Sequence, residues 1–316
     1  MPPIKPIALD GVTSYSLKDR RSKVGVDQFA EPWSPDGSVA RWMRTLPRIL
    51  AAGDFAQVVE GICTAVRGGR AVVLAMGAHV IKVGLGPVII DLMERGILSG
   101  VAMNGACIIH DAEVAMVGRT SEDVAAVLGE GKFGMARETA EFLNGAVNNG
   151  AARDEGLGLS VGRALSENGF PHNRSSILAR AYELGVPVTV HVAVGTDIIH
   201  FHPTADGAAI GKTSHTDFRI FARLVSGLEE GVFINLGSAV VLPEVFLKAV
   251  SLVRNLGHPV KRLTTVNMDF IRQYRSFTNV VHRPTLEGGK GYNLIGHHEI
   301  MFPLLAAAVL DRLRGN

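Results

Sequence analysis

From residue 54 onward the apolar positions follow two alternating rhythms. Residues 54–67 (DFAQVVEGICTAVR) place apolar side chains three and four apart, which predicts a helix. Residues 71–76 (AVVLAM) are apolar without a break, as in a strand buried on both faces. Residues 85–95 predict a helix with Pro87 in its first turn, and 99–103 (SGVAM) a second strand. Helical spacing recurs at 107–117, 133–149, 155–168 and 175–184, the last closed by Gly185. A third strand is predicted at 187–193, a fourth at 231–235 and a fifth at 262–267. Helices at 215–228 and 243–255 separate them, and a last helix covers 301–314. Strands alternating with helices predict an α/β fold: a doubly wound, mostly parallel sheet with a helical insertion near 120–170. A closed barrel needs eight strand–helix units, and five strands are too few.

Residues 1–45 break both rhythms. Pro2, Pro3, Pro6, Pro32 and Pro35 and the cluster Lys18-Asp19-Arg20-Arg21 mark an N-terminal arm. The arm wraps the domain, reaches a neighbouring subunit, or is a partly ordered tail. Residues 46–316 are expected to form one Rossmann-like domain.

Composition narrows the function classes. Hydrophobic residues make up 47% and charged residues 20%, enough apolar mass for a packed core. The charge is 32 minus 30, or +2, and gives no reason to expect nucleic acid or a membrane as partner. Apolar runs such as Met301 to Leu310 are too short to span a bilayer, and the opening MPPIKPIALDG lacks a signal-peptide core. A cytoplasmic protein is expected. Two cysteines make no disulfide framework; Cys63 reads as core, and Cys107 as lying near a ligand.

In open parallel sheets, ligands bind at the carboxyl ends of the strands. The residues following each predicted strand are therefore the candidates. They include Gly77, Ala78 and His79; Asn104, Gly105 and Ala106, with His110 and Asp111 one turn on; Thr196 and Asp197; Asn235, Gly237 and Ser238; and Asn267 and Asp269. Glycines there let backbone amides approach a phosphate, or serve only turn geometry. His110 and Asp111 suit acid–base work, although Asp111 equally suits a helix first turn. Lys290 sits between glycines on a predicted loop, where a flexible amine could reach a substrate. Arg272 and Arg275 read as a solvated helix face. His200-Phe201-His202, on an extended segment, would aim two imidazoles the same way, toward a zinc ion. No compact third or fourth ligand accompanies them, so no metal is assigned. The chain has no P-loop, G-x-S-x-G or H-E-x-x-H motif.

The stretch GAHVIKVGLGPVIIDLMERGILSGVAMNGACIIHDAEVAMVG resembles the first nucleotide-binding segment of deoxyhypusine synthase. The stretches SSILARAYELGVPVTVHVAVGTDIIHFH, FINLGSAVVLPEVFLKAV and MFPLLAAA follow that family's order. NGACIIHD is also similar to an element of the archaeal NAD-dependent ornithine cyclodeaminase domain. The resemblance implies a Rossmann-like homotetramer that uses NAD at subunit interfaces. It implies cofactor-side positions for Gly77, Asn104, Gly105, Ala106, Thr196, Asp197, Gly237 and Ser238. His110 falls where the family has an acidic residue that contacts the polyamine. Lys290, in Gly-Lys-Gly, stands near the family's nucleophilic lysine. Leu242-Pro243-Glu244 replaces the family's Lys-His-His.

The expected function is NAD-dependent hydride chemistry at a C–N bond of a small amine or amino acid, not deoxyhypusine synthesis itself. His110, Asp111 and Lys290 are the expected catalytic residues. The alternatives are a metal-dependent hydrolase built on His200 and His202, and a ligand-binding relative without catalysis.

Overall fold

The computed structural model describes residues 5–20, 23–24, 26–33 and 37–314. Of the predicted arm, Pro2, Pro3, Arg21 and Pro35 lie outside the described residues. The six strands are β1 (Val72–Met76), β2 (Gly100–Asn104), β3 (Val188–His191), β4 (Val232–Leu236), β5 (Thr264–Asp269) and β6 (Lys290–Ile295). The helices before the insertion are α1 (Val39–Thr45), α2 (Leu50–Arg67), α3 (His79–Lys82), α4 (Gly86–Glu94) and α5 (Gly105–Val117). Next come α6 (Val124–Val127), α7 (Arg137–Ala152), α8 (Leu157–Asn168) and α9 (Ile177–Leu184). The remainder are α10 (Gly207–Ser226), α11 (Val241–Asn255), α12 (Tyr274–Ser276) and α13 (His298–Arg314).

All strand pairs are parallel, in the order β3-β2-β1-β4-β5-β6. The order reverses between β1 and β4. That makes their carboxyl ends the topological switch point, where such sheets open a crevice. Alternation along the strands sorts the side chains into two cores. Val72, Leu74 and Met76 of β1 join Val232, Ile234 and Leu236 of β4 on one face, packed by α2, α4, α5, α8, α9 and α13. Val73 and Ala75 join Phe233 on the other face, under α10 and α11. On that face Phe233 stacks on Phe246 with ring centroids 3.6 Å apart. The small Ala75 and Ala102 leave room for those rings.

The predicted sheet is present, with one strand more than the pattern predicts. β6 (KGYNLI) is an edge strand, and only Leu294 along it is fully buried. Its apolar rhythm is too weak to announce a strand, and the sequence reads there as a loop. The consequence for Lys290 is large. It opens β6, paired with Thr264 at the amino edge of the sheet. Five residues separate it from the carboxyl end of its strand, about 16 Å at roughly 3.3 Å per residue. The expected meeting of Lys290 with the other candidates therefore does not occur within the chain.

Asp111 is likewise explained by the fold. It is buried, and it accepts hydrogen bonds from the Ser176 hydroxyl and from the backbone amides of Ile177 and Leu178. It is thus the anion at the start of α9, supplied from α5. Burial pushes its pKa up to about 6, against the pull of those three donors. Asp217 of α10 does similar work. It accepts from the amide of Gly158 at the start of α8 and from that of Val190 in β3.

One polar ladder crosses the buried sheet. Asn235, Asn267 and Asn293 are in register on β4, β5 and β6. Asn235 Nδ2 donates to Asn267 Oδ1 at 2.7 Å, and Asn267 Nδ2 to Asn293 Oδ1 at 2.9 Å. Asn235 Nδ2 also donates to the carbonyl of Ser238, which fixes the turn after β4. Ser276 Oγ donates to the same carbonyl.

Much of the described arm is exposed, including Ile7, Leu9, Val12 and Tyr15. Arg48 donates from its backbone to Gln28, and Glu31 to Thr45, which ties the arm to the segment that opens the domain. Among the described residues, no helix is long and apolar enough to cross a membrane.

Two substitutions test these assignments by chemical denaturation. Asp111→Ala leaves three buried donors without an acceptor and is expected to cost about 3 kcal/mol. Asn267→Ala cuts the ladder in the middle and is expected to cost about 2 kcal/mol. A loss below about 0.5 kcal/mol in either would show that water replaces the missing partner.

Candidate active site

Four elements meet at the carboxyl edge of β1, β2 and β3: the end of α3, the length of α5, the 118–136 segment and the loop after β3. They enclose a cavity of about 530 Å³. Its polar lining includes Lys82, His110, Glu113, Arg119, Thr120 and Asp197. Ala106 and Thr196 line it too. Of the expected residues, the fold thus collects His110, Ala106, Thr196 and Asp197 in one pocket, and Gly105 abuts it through Asp197.

α5 begins directly after β2, with Asn104 extended at its cap position. His110 sits on the second turn. Thr120 Oγ1 donates to Glu113 Oε2. Its hydrogen is thereby committed, so the contact of 2.7 Å between Thr120 Oγ1 and His110 Nδ1 places the proton on Nδ1. Nε2 is left with a lone pair. Burial first, and the charge of Lys82 second, pull the His110 pKa down to about 4. The ring is therefore neutral at pH 7. Glu113 and Thr120 are absent from the residues expected from sequence. Glu113 lies three residues after His110 on one helix, a spacing that could have suggested the pair. Thr120 enters only because the chain folds back after Gly118, whose φ is +69°.

Asp197 caps the short 3-10 turn at 198–201, its side chain accepting from the backbone of His200. Its Oδ2 is buried without a hydrogen-bond partner. That oxygen lies 2.0 Å from where a Cβ on residue 105 would stand, so only glycine fits at the start of α5. Burial pushes the Asp197 pKa up.

The other expected cofactor glycines are occupied by the chain itself. A Cβ on Gly77 would meet the Gly237 carbonyl at 2.4 Å. The Gly77 amide donates to Leu236 and the Gly237 amide to Met268, so neither is free for a phosphate. Ser238 Oγ accepts from the amide of Leu242 and starts α11. These residues build the wall of the switch point. Asn104 Oδ1 accepts from the Cys107 thiol at 3.0 Å. Burial pushes that thiol well above its ordinary pKa, so Cys107 is no nucleophile.

Behind the wall lies a residue outside the expected catalytic set. His298 opens α13 with its side chain only 1% exposed, and neither ring nitrogen has a hydrogen-bond partner. Its Nε2 is 3.6 Å from Asp269 Oδ1, and the rings of His79 and Phe270 pack edge-on against it. The positive φ of Gly237 makes its seat: a Cβ there would stand 2.6 Å from His298 Cε1.

His200 and His202 do not form the metal pair that the alternative hydrolase reading requires. They lie on or beside a 3-10 turn rather than an extended strand, and their side chains part. His200 Nδ1 accepts from the Gly195 amide, and His202 Nδ1 meets Thr204 Oγ1. Among the described residues, no group of three or more His, Cys, Asp or Glu side chains could hold a metal ion.

No family model matches the chain, and no curated protein matches it. Solved structures do. A candidate LOR/SDH protein from Methanococcus maripaludis aligns at a TM-score of 0.52 and 13% identity, over 84% of this chain and 71% of that one. AgrE, solved with ornithine and NAD+, aligns at 0.54 and 16%, over 86% of this chain. This chain spans about a third (35%) of the AgrE chain. A candidate deoxyhypusine synthase from Entamoeba histolytica aligns at 0.52 and 10%, over 89% of this chain and 96% of that one. The Rossmann-like fold expected from the sequence is therefore shared with a protein described as a deoxyhypusine synthase and with one solved bound to NAD+.

Proposed function

We propose that the protein is an NAD-dependent enzyme acting at the C–N bond of a small amine or amino acid, by a reaction other than deoxyhypusine synthesis. The observation that carries this reading is the Glu113–Thr120–His110 chain. It ends in a neutral imidazole whose lone pair is free, on the wall of a cavity at the carboxyl edge of a Rossmann-like sheet.

The residues fit a nicotinamide nucleotide at one place. Asp197 Oδ2 is a buried acceptor without a donor, beside the first turn of α5, and suits a ribose hydroxyl. Asn104, Gly105, Ala106 and Thr196 flank it, and the start of α5 favours the nucleotide's negative charge. Gly77, Gly237 and Ser238 shape the crevice rather than touch the cofactor. When bound, the cofactor supplies reversible hydride acceptance from the carbon that bears nitrogen.

His110 does the proton work. Its Nε2 takes a proton from the substrate ammonium, which frees the nitrogen lone pair to form the C=N bond as hydride leaves carbon. The positive charge then on the ring is supported by Glu113 through Thr120; once a second amine has added to the C=N carbon and ammonia has left it, Nε2 would return the proton to the new amine as the carbon is reduced. The ring stays competent as a base down to about pH 4, where it protonates and loses its lone pair.

Calorimetric titration with NAD+ tests the cofactor. Binding in the micromolar range, weakened at least tenfold by Asp197→Ala, is expected; a protein that gives no heat with NAD+ sinks the reading. The same protein is then assayed with NAD+ and L-ornithine or 1,4-diaminobutane for NADH absorbance and ammonia release. NAD+ binding with no turnover of either would place the chain among ligand-binding relatives. With a turned-over substrate, His110→Ala is expected to cost about 100-fold or more in kcat. Thr120→Val, which frees the tautomer, is expected to cost about tenfold with KM little changed. The His110 acid limb of the wild type is expected near pH 4, with no break from His110 between about pH 5 and about pH 8.

A further inference from the structure

The cavity beside His110 has two cations that no described residue neutralises. Lys82, the last residue of α3, and Arg119, just past α5, both line it and are both exposed. Neither makes a hydrogen bond or ion pair among the described residues. Other surface cations are paired, such as Arg70 with Glu230, Arg95 with Asp91 and Lys212 with Asp154. What distinguishes Lys82 and Arg119 is that two cations without such a partner line the same cavity.

The carboxylates of the same cavity are held away from them. Glu122 accepts from the Gly134 amide, Glu113 from Thr120, and Asp197 turns toward Gly105. The chain thus supplies acids to the cavity without letting them pair with Lys82 or Arg119. A site with unpaired cations at one side and a proton-accepting imidazole backed by a carboxylate at the other is complementary to adjacent opposite charges. Lys82 lies close enough to His110 to lower its affinity for a proton, so the two halves of the site are neighbours. Ile109, Val124, Phe133, Ala136 and Ile198 line the remainder with apolar surface.

We propose that this cavity binds an α-amino acid, with its carboxylate held by Lys82 and Arg119 and its ammonium facing His110 and Glu113. Its role in turnover rests on the function proposed above, but its binding does not. A diamine or polyamine would meet two uncompensated cations where the amino acid places its carboxylate. The cavity therefore selects against the substrate class implied by the resemblance to deoxyhypusine synthase. The apolar lining favours a substrate whose Cβ onward is an aliphatic stem.

Matched pairs that differ only in the carboxylate test this by calorimetry: L-ornithine against 1,4-diaminobutane, and L-norvaline against butylamine, each with and without NAD+. Each amino acid is expected to bind at least tenfold tighter than its amine. Lys82→Gln and Arg119→Gln should each weaken the amino acid at least tenfold and leave the amine unchanged or tighter. Both side chains are exposed and unpaired, so the variants are expected to keep the wild-type melting temperature. Equal binding within each pair, binding of neither member, or full amino-acid affinity in both variants would overturn the proposal. NAD+ binding without amino-acid binding would remove this inference alone. Carboxylate-dependent binding in a protein that ignores NAD+ would keep it and remove the redox reading.

Discussion

A parallel sheet covered on both faces has no room for unpaired polar groups, and this constraint organises the molecule. β1, β2 and β4 are apolar almost throughout, and their sides are filled by two helical layers. Within the sheet several polar side chains satisfy one another, as in the Asn235–Asn267–Asn293 ladder. Others lie toward the carboxyl edge, where loops and helix starts supply partners, as for Asp111 and Ser238. The strand order sends the connections leaving β1 and β4 to opposite faces, while the cavity itself lies at the carboxyl edge of β1, β2 and β3.

At that edge, close packing and chemistry compete for the same glycines. Gly77 lets the Gly237 carbonyl pass, Gly237 makes room for the His298 ring, and Gly105 makes room for the Asp197 carboxylate. Each looks from sequence like a phosphate-binding glycine, yet each admits a part of the chain itself. The polar atoms left without partners are fewer and more informative. Asp197 Oδ2 and both nitrogens of His298 are buried and unbonded, a costly state that a bound group can relieve. In contrast, both oxygens of Asp111 are engaged at the start of α9, and Asp217 Oδ2 accepts from amides of α8 and β3. Their placement strengthens the frame on which His110 is presented.

The sequence made the sheet legible because burial on both faces writes itself as unbroken apolar runs such as AVVLAM. It hid β6 because an edge strand needs little apolar surface, and KGYNLI has little. With β6 hidden, Lys290 could be imagined on a loop among the candidates; once the strand is seen, the lysine belongs to the opposite edge. His110 and Asp197 were legible because both follow strand ends. Asp111 stands beside His110 in sequence, yet points to α9 and away from the cavity, since adjacent residues on a helix face different directions.

The sequence by itself determined the alternation of strands and helices, the parallel sheet, and the set of small and polar residues at its carboxyl edge. Those are consequences of local periodicity, which a chain carries in its own order. Only the tertiary structure decided which of these residues meet. Thr120 reaches His110 because the chain turns back at Gly118, and Lys82 reaches the same cavity from the end of another strand's connection. Partners of this kind are far apart in sequence or set by a single turn. Their pairing depends on packing and on the direction in which each side chain leaves its element, and neither is written in the spacing of residues.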